Sequence, residues 1–173
     1  FVPFARAQTT TAINANGLKT FTETVGNRID IKGGTSVGEN LFHSFSQFNL
    51  GANDIANFVQ HSGASTVISR VTDAPSTIAG TIQATGWSNF YFVNPRGIVF
   101  ESSARLNVSG SAYFSTAQNV RFADGGFFNT RSAESRSLLS SYPVSSFGFT
   151  SSGAAAITIS GNNLTVGSQK TLS

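Results

Sequence analysis

The sequence predicts an all-β fold, a right-handed parallel β-helix (a solenoid), and three observations point to it. First, charge is scarce. Asp, Glu, Lys and Arg make up 11% of the chain, against roughly 25% in typical soluble domains. Ser, Thr, Asn and Gly fill the gap; they suit strands and tight turns and are poor helix formers. Second, no amphipathic helix is legible. Between Ala64 and Thr116 short β-rich runs alternate with Gly, Asn and Pro. Third, the runs recur. Thr81-Ile82-Gln83-Ala84-Thr85-Gly86 resembles Arg105-Leu106-Asn107-Val108-Ser109-Gly110, 24 positions on. Tyr91-Phe92 returns as Tyr113-Phe114, and Val99-Phe100 approximately as Arg121-Phe122, both 22 positions on. That period lies in the solenoid range. Inward apolar residues then stack from coil to coil while Gly and Asn turn the corners. A leucine-rich repeat would need a Leu ladder that is absent. The alternative is a β-sandwich with accidental likeness between strands. Sixteen Phe supply ample apolar surface, which argues against disorder.

Taken in order, Ala5-Arg6-Ala7 has the small-x-small form of a signal-peptidase site. The apolar residues before it fit the end of a hydrophobic region, so residues 1–7 are a candidate signal-peptide remnant and Gln8 a candidate mature start. Residues 8–62 are less periodic and supply the natural cap, because a solenoid end exposes unpaired backbone. Within them Phe42, Phe45 and Phe48 recur at spacing three. Their Ser, Asn and His neighbours favour a curved strand and loop that buries the cap against the first coil. The runs Thr66–Val71, Gly80–Thr85, Asn89–Val93, Gly97–Phe100 and Leu106–Val108 read as coil strands, with Ile82, Leu106 and Ile157 pointing inward. Between the third and fourth runs, Asn94-Pro95-Arg96-Gly97 has turn chemistry: Pro suits position i+1 and Gly tolerates positive φ. Residues 123–153, with Gly125-Gly126, a Ser-rich tract and Pro143, read as an excursion holding a short hairpin. Ile157-Thr158-Ile159-Ser160-Gly161 echoes the strand-Gly unit once more. The C-terminal end lacks an obvious cap, as expected of a piece of a longer chain.

Several function classes fall away. The net charge is +3, and Lys and Arg are scattered singly, unlike the basic face of a nucleic-acid binder. No apolar run approaches the ~18 residues of a membrane helix. The absence of Cys removes disulfides and thiolate metal sites. His43 and His61 are the only histidines, and no ligand spacing surrounds them; His43 reads as a hydrogen-bonding cap residue. No Gly-x-Ser-x-Gly elbow is present. Gly33–Gly38 lacks the Lys of a phosphate loop. Asn107-Val108-Ser109 and Asn163-Leu164-Thr165 are formal glycosylation sequons. No metal, cofactor or catalytic set is expected.

Several ordered blocks carry a family resemblance. Asn40-Leu41-Phe42-His43-Ser44-Phe45-Ser46-Gln47-Phe48-Asn49 resembles the N-L-F-H-S-F-x-x-F-N block of two-partner secretion (TPS) domains of filamentous-haemagglutinin-like exoproteins. Val67–Thr72 followed by Ile78–Ile82 is similar to the family's I-x-R-V-T … I-x-G-x-I segment. Asn94-Pro95-Arg96-Gly97-Ile98 resembles its N-P-N-G-I signature, with Arg96 in place of the usual Asn. Ala104–Val108, Phe114–Ala117 and Pro143–Phe149 continue the pattern. The block Asn40–Asn49 gives the likeness a cyanobacterial style. The family's other motif, N-P-N-L, is absent.

The resemblance implies that residues 8–173 form a TPS, haemagglutination-activity-like β-helix domain of a large secreted exoprotein. It implies export through the periplasm of a Gram-negative-type bacterium, unfolded, with recognition by an outer-membrane β-barrel transporter that carries periplasmic domains. Folding at the cell surface and templating of further coils would follow. The domain itself is expected to be monomeric, with no nucleic-acid partner. Asn94, Pro95, Arg96, Gly97 and Ile98 are the candidate recognition or turn motif. Asn40, Leu41, Phe42, His43, Phe45, Phe48 and Asn49 are the candidate cap motif. Two rivals stand beside this reading. One is a glycan-binding adhesin using exposed aromatics such as Trp87 or Tyr91. The other is a β-helical polysaccharide lyase or hydrolase. That enzyme needs clustered carboxylates, but the eight acids are dispersed; Glu101 and Asp124, whose spacing matches one repeat, are the best candidate pair.

Overall fold

The structure is a computed structural model that describes residues 2, 5–150, 153–161 and 164–173. Phe1, Pro3 and Phe4 of the N-terminal apolar run, and Asn163 of the second sequon, lie outside the described residues. No helix forms among them; the chain is a parallel β-solenoid of about four turns. The cap comprises β1 (Ala12–Gly17), β2 (Thr20–Val25), β3 (Arg28–Gly33) and β4 (Thr35–Val37). The coils follow: β5 (Asn40–Asn49) and β6 (Ile55–Phe58), then β7 (Thr66–Val71), β8 (Ser76–Ile78) and β9 (Thr81–Ala84), then β10 (Asn89–Val93), β11 (Ile98–Phe100) and β12 (Arg105–Val108). The fourth coil opens with β13 (Ser111–Ser115). It is interrupted by β14 (Asn119–Phe122), β15 (Phe127–Asn129) and β16 (Val144–Gly148), and resumes at β17 (Ile157–Ile159).

Three sheets line the solenoid. One carries β5-β7-β10-β13 in parallel, a second β8-β11-β17, and a third β3-β6-β9-β12. Asn40, Thr66, Asn89 and Ser111 stack in register, so successive coils are 26, 23 and 22 residues long. The recurrences read from sequence fall into register as well: Tyr91 on Tyr113, Phe92 on Phe114 and Ile82 on Leu106. Ala112 then bridges Leu172, the start of a fifth turn. Its coil is long because the excursion is inserted in it.

The edges of the first coil are covered. β1 and β4 pair antiparallel with one edge of β5, and β2 pairs antiparallel with β3. The unpaired backbone that would invite edge-to-edge association is thereby occupied. The core is aromatic. Phe45, Phe48, Phe58, Phe90, Phe92 and Phe100 are fully buried in the lumen, with ring centroids 4.9 Å apart at Phe48–Phe92, Phe58–Phe90 and Phe100–Phe114. Burying a Phe side chain contributes about 1.5–3 kcal/mol, and edge-on ring pairs add about 0.5–1.5 kcal/mol. On the outer face of the third sheet a chain of side-chain amides runs down the coils. Asn107 donates to Gln83 at 3.1 Å, Gln83 to Asn57 at 3.0 Å, and Asn57 to the Asp30 carboxylate at 2.7 Å. Arg28 also pairs with Asp30, at 2.8 Å, and the two bonds hold that carboxyl below its usual range.

Several expectations are corrected. Ile82 is fully buried and Leu106 packs partly buried on the core, but Ile157 is 40% exposed. Ile157 and Ile159 share register with Ile98 and Phe100, so they face as the interior residues do; β17 is the edge of its sheet, and among the described residues no strand stacks above it. That strand also stacks on β11, not on the Thr81–Ala84 and Arg105–Val108 units it echoes in sequence. Arg121-Phe122 does not stack on Val99-Phe100. It lies in β14, the centre of an antiparallel three-stranded sheet with β15 and β16, so the excursion starts at Asn119, earlier than residue 123.

Candidate functional site

The Asn94–Gly97 corner joins β10 to β11, and its geometry follows from residue chemistry. The Gly97 amide donates to the Asn94 carbonyl at 3.1 Å, closing the turn, and the Arg96 amide donates to Asn94 Oδ1 at 2.9 Å. Pro95 occupies the position that favours its fixed φ. Gly97 has φ +118, a conformation that side chains rarely adopt, and a Cβ there would stand 3.3 Å from the Ala156 carbonyl. Ile98 turns into the lumen, fully buried.

Asn94 is more than a turn residue. It is fully buried. Its Nδ2 donates to the Ala74 carbonyl and to Ser76 Oγ, both at 2.9 Å, and its backbone amide donates to Ser115 at 2.9 Å. It thus ties the second, third and fourth coils at one point, a role that turn propensity alone did not reveal. Arg96 is exposed, with its Nε 3.4 Å from the Thr72 carbonyl. Beside it opens a recess of about 220 Å³ lined by Pro95, Arg96, Gln118, Arg131, Thr150 and Gly153. Among the described residues that line it are two guanidinium groups and no carboxylate, a setting that suits an acidic group.

The Asn40–Asn49 block forms one ten-residue strand, β5, at the heart of the first sheet, in place of the expected curved strand and loop. Leu41, His43 and Phe45 face the lumen, whereas Phe42 packs on the outside with Ile68, Val93 and Phe128. Spacing three survives on a strand because the β1–β5 register shifts at Ser46, where Phe45 meets Ala15 and Gln47 meets Asn14. The extra residue is a bulge that restores Phe48 to the inner face. Asn40 is buried and donates to the carbonyls of Ser140 and Tyr142, each at 2.8 Å. Asn49 Oδ1 accepts from the Thr77 amide at 2.9 Å.

His43 is fully buried among Phe45 and Phe58. Its Nδ1 lies 3.1 Å from Thr20 Oγ1, which also accepts from the Ser44 amide. Burial pushes its pKa down to about 4, so the ring is neutral.

Arg70, quoted within the family-like segment but given no role by sequence reasoning, is 3% exposed. Its guanidinium donates to Ser44 Oγ at 2.8 Å, to the Asn129 carbonyl at 2.6 Å and to the Ala133 carbonyl at 3.2 Å, and sits 4.8 Å from the Phe128 ring centroid. Burial lowers its pKa to about 10, leaving it charged at neutral pH. The signal in the sequence was a cation inside a β-branched run, on the alternate face from Val67 and Val71.

The residues that the sequence offers to the two rival functions do not assemble into a site. Trp87 is 1% exposed and donates to the Phe58 carbonyl at 2.9 Å, so it is a core residue and no sugar platform; Tyr91 is half-buried against Tyr113. Asp124 bonds the Gly126 amide and Ser140 within the excursion, whereas Glu101 follows β11 and lines a different recess with Asp54 and Ser103. Stacking therefore does not pair these acids. Among the described residues no three His, Asp or Glu side chains gather as a metal site, and no helix is long and apolar enough to cross a membrane.

With solenoid, corner and block in place, the comparison with protein families is decisive: the model described as TPS secretion domain matches residues 5–173. The chain belongs to the TPS secretion domain family. No curated protein matches it. A TPS domain is the secretion-targeting module of a two-partner exoprotein, so this is a secreted protein whose partner is a two-partner secretion transporter.

Proposed function

We propose that this TPS domain is recognised by the periplasmic domains of a dedicated outer-membrane β-barrel transporter, crosses unfolded, and nucleates a longer β-helix at the cell surface. Residues 1–7 would be the end of the signal peptide removed on the way. The domain would act without catalysis. The observation that carries nucleation is the face of the fourth coil. Ile157 and Ile159 stand in register above Ile98 and Phe100, yet remain 40% and 52% exposed. They offer apolar surface and a strand edge on which another coil can add, as solenoid coils do.

The corner at Asn94–Ile98 serves this function structurally, by holding three coils in register. The export experiment tests that division of labour. Arg96→Asn, which restores the family's usual residue, should leave secreted yield with the cognate transporter unchanged. Its effect on stability should stay below about 0.5 kcal/mol. A loss of export at an unchanged denaturant midpoint would instead make the corner a recognition element.

A further inference from the structure

We propose that residues 119–148 form a latch, a separately opening layer that closes over finished coils and staples them from outside. Among the described residues the buried apolar side chains form two clusters. The lumen cluster, from Ile29 to Ala112, contains no residue of 119–148. The second lies on the outer face of the first sheet. It joins Phe42, Ile68 and Val93, one from each of the first three coils, to Val120, Phe122 and Phe128. Phe42 meets the Phe122 and Phe128 rings edge-on at 5.8 and 5.1 Å. Undocking the excursion therefore exposes the outer cluster and leaves the lumen packed, the arrangement expected of a cooperative unit that opens below the global unfolding limit.

The polar anchors point the same way. Three of the four groups around the Arg70 guanidinium, the Asn129 and Ala133 carbonyls and the Phe128 ring, belong to the excursion. No carboxylate is among its bonded partners. A buried cation satisfied only by neutral groups keeps a large desolvation cost, which undocking relieves by returning Arg70 to water. Asn40 makes the far contact, holding Ser140 and Tyr142. Every coil residue in this layer precedes the latch in sequence. For export, and resting on the two-partner reading, a chain emerging from its N-terminus can complete three coils while Phe42, Ile68 and Val93 stay open. Closure waits until about residue 148 has emerged, and it then opposes backward slippage.

The test is native-state hydrogen exchange of the 173-residue chain, read by mass spectrometry. Peptides from 119–148 should exchange through an opening about tenfold or more frequent than that of peptides from β7 and β10. In Phe128→Leu, a change confined to the outer layer, the latch peptides should quicken about tenfold further while β10 and β12 keep wild-type protection. Equal protection of latch and coils in the wild type would overturn the proposal. So would a Phe128→Leu change that quickens all peptides alike, or none. Neither result bears on whether the transporter exports the chain.

Discussion

His43 shows how one side chain can set a pH limit on the whole domain. Its neutral ring is the buried form, and the pKa of about 4 lies below the ordinary 6.5. The unfolded chain therefore takes up the proton first as pH falls. Stability that is complete above pH 6.5 is lost between there and pH 4, by about 1.4 kcal/mol per pH unit. Denaturant midpoints measured from pH 7.5 to 4.5 should fall more steeply for the wild type than for His43→Gln; parallel slopes would remove His43 as the cause. Gly97 sets a different limit. A β-branched residue there meets both the positive φ and the Ala156 carbonyl. Gly97→Val should cost at least about 1–3 kcal/mol, seen as a lower midpoint and slower refolding of the purified domain, while Arg96→Asn leaves both in place.

At the scale of the element, position along the stack decides what an apolar residue contributes. Ile82 is enclosed by coils on both sides, so Ile82→Ala should cost about 2–5 kcal/mol. Ile157 occupies an inward register but lies on an edge strand that no strand covers among the described residues. Ile157→Ala should cost less than about 1.5 kcal/mol, scaled to its partial burial. Comparing the two midpoints checks the ladder directly; equal losses would mean that β17 is enclosed in solution. The same contrast explains what was legible in the sequence. Strands β7 and β10 stand at the residues their β-rich runs marked, because strand length and alternation are local properties. Ile157 has the inward face that alternation predicts, but alternation says nothing about whether a neighbour covers it, so its 40% exposure is not legible in the sequence. Arg121-Phe122 mimics Val99-Phe100 in sequence but leaves the coil, since antiparallel pairing with Phe127–Asn129 and Val144–Gly148 is a long-range choice. Spacing three groups Phe42 with Phe45 and Phe48, but on a strand alternation turns Phe42 outward, and only the bulge at Ser46, invisible to spacing rules, brings Phe48 back to the face of Phe45. The corner was legible as a turn from Pro95 and Gly97; Asn94 as a tie between coils needed the stack itself.

At the scale of the molecule, the acids decide the chemistry. Asp30 is committed to Arg28 and Asn57, Asp124 to Gly126 and Ser140, and Glu23 to Lys32. With Glu101 after β11 and Asp124 in the excursion, on separate elements, the purified domain should release no product from neutral or acidic polysaccharides. Turnover that disappears in Glu101→Gln or Asp124→Asn would overturn that expectation. Folding should also be slow for the chain length, because most strands pair in parallel with one a full coil away, and closing such loops must precede the contacts that reward it.

The amide chain from Asn107 through Gln83 and Asn57 to Asp30 has a direction. A carboxylate has no hydrogen to give, so Asp30 compels Asn57 to point its NH₂ toward the cap, and each amide above must follow. The outer face is thus a one-way signal line, with its polarity written by a single acceptor at the first rung. Asp30→Asn supplies a group that can both give and accept, and the line loses its sense. The side-chain amide protons of Asn107, which makes no bond to Asp30, should then shift or broaden in a nitrogen–proton spectrum. Arg105→Ala, a change much closer in sequence, should leave them where they are.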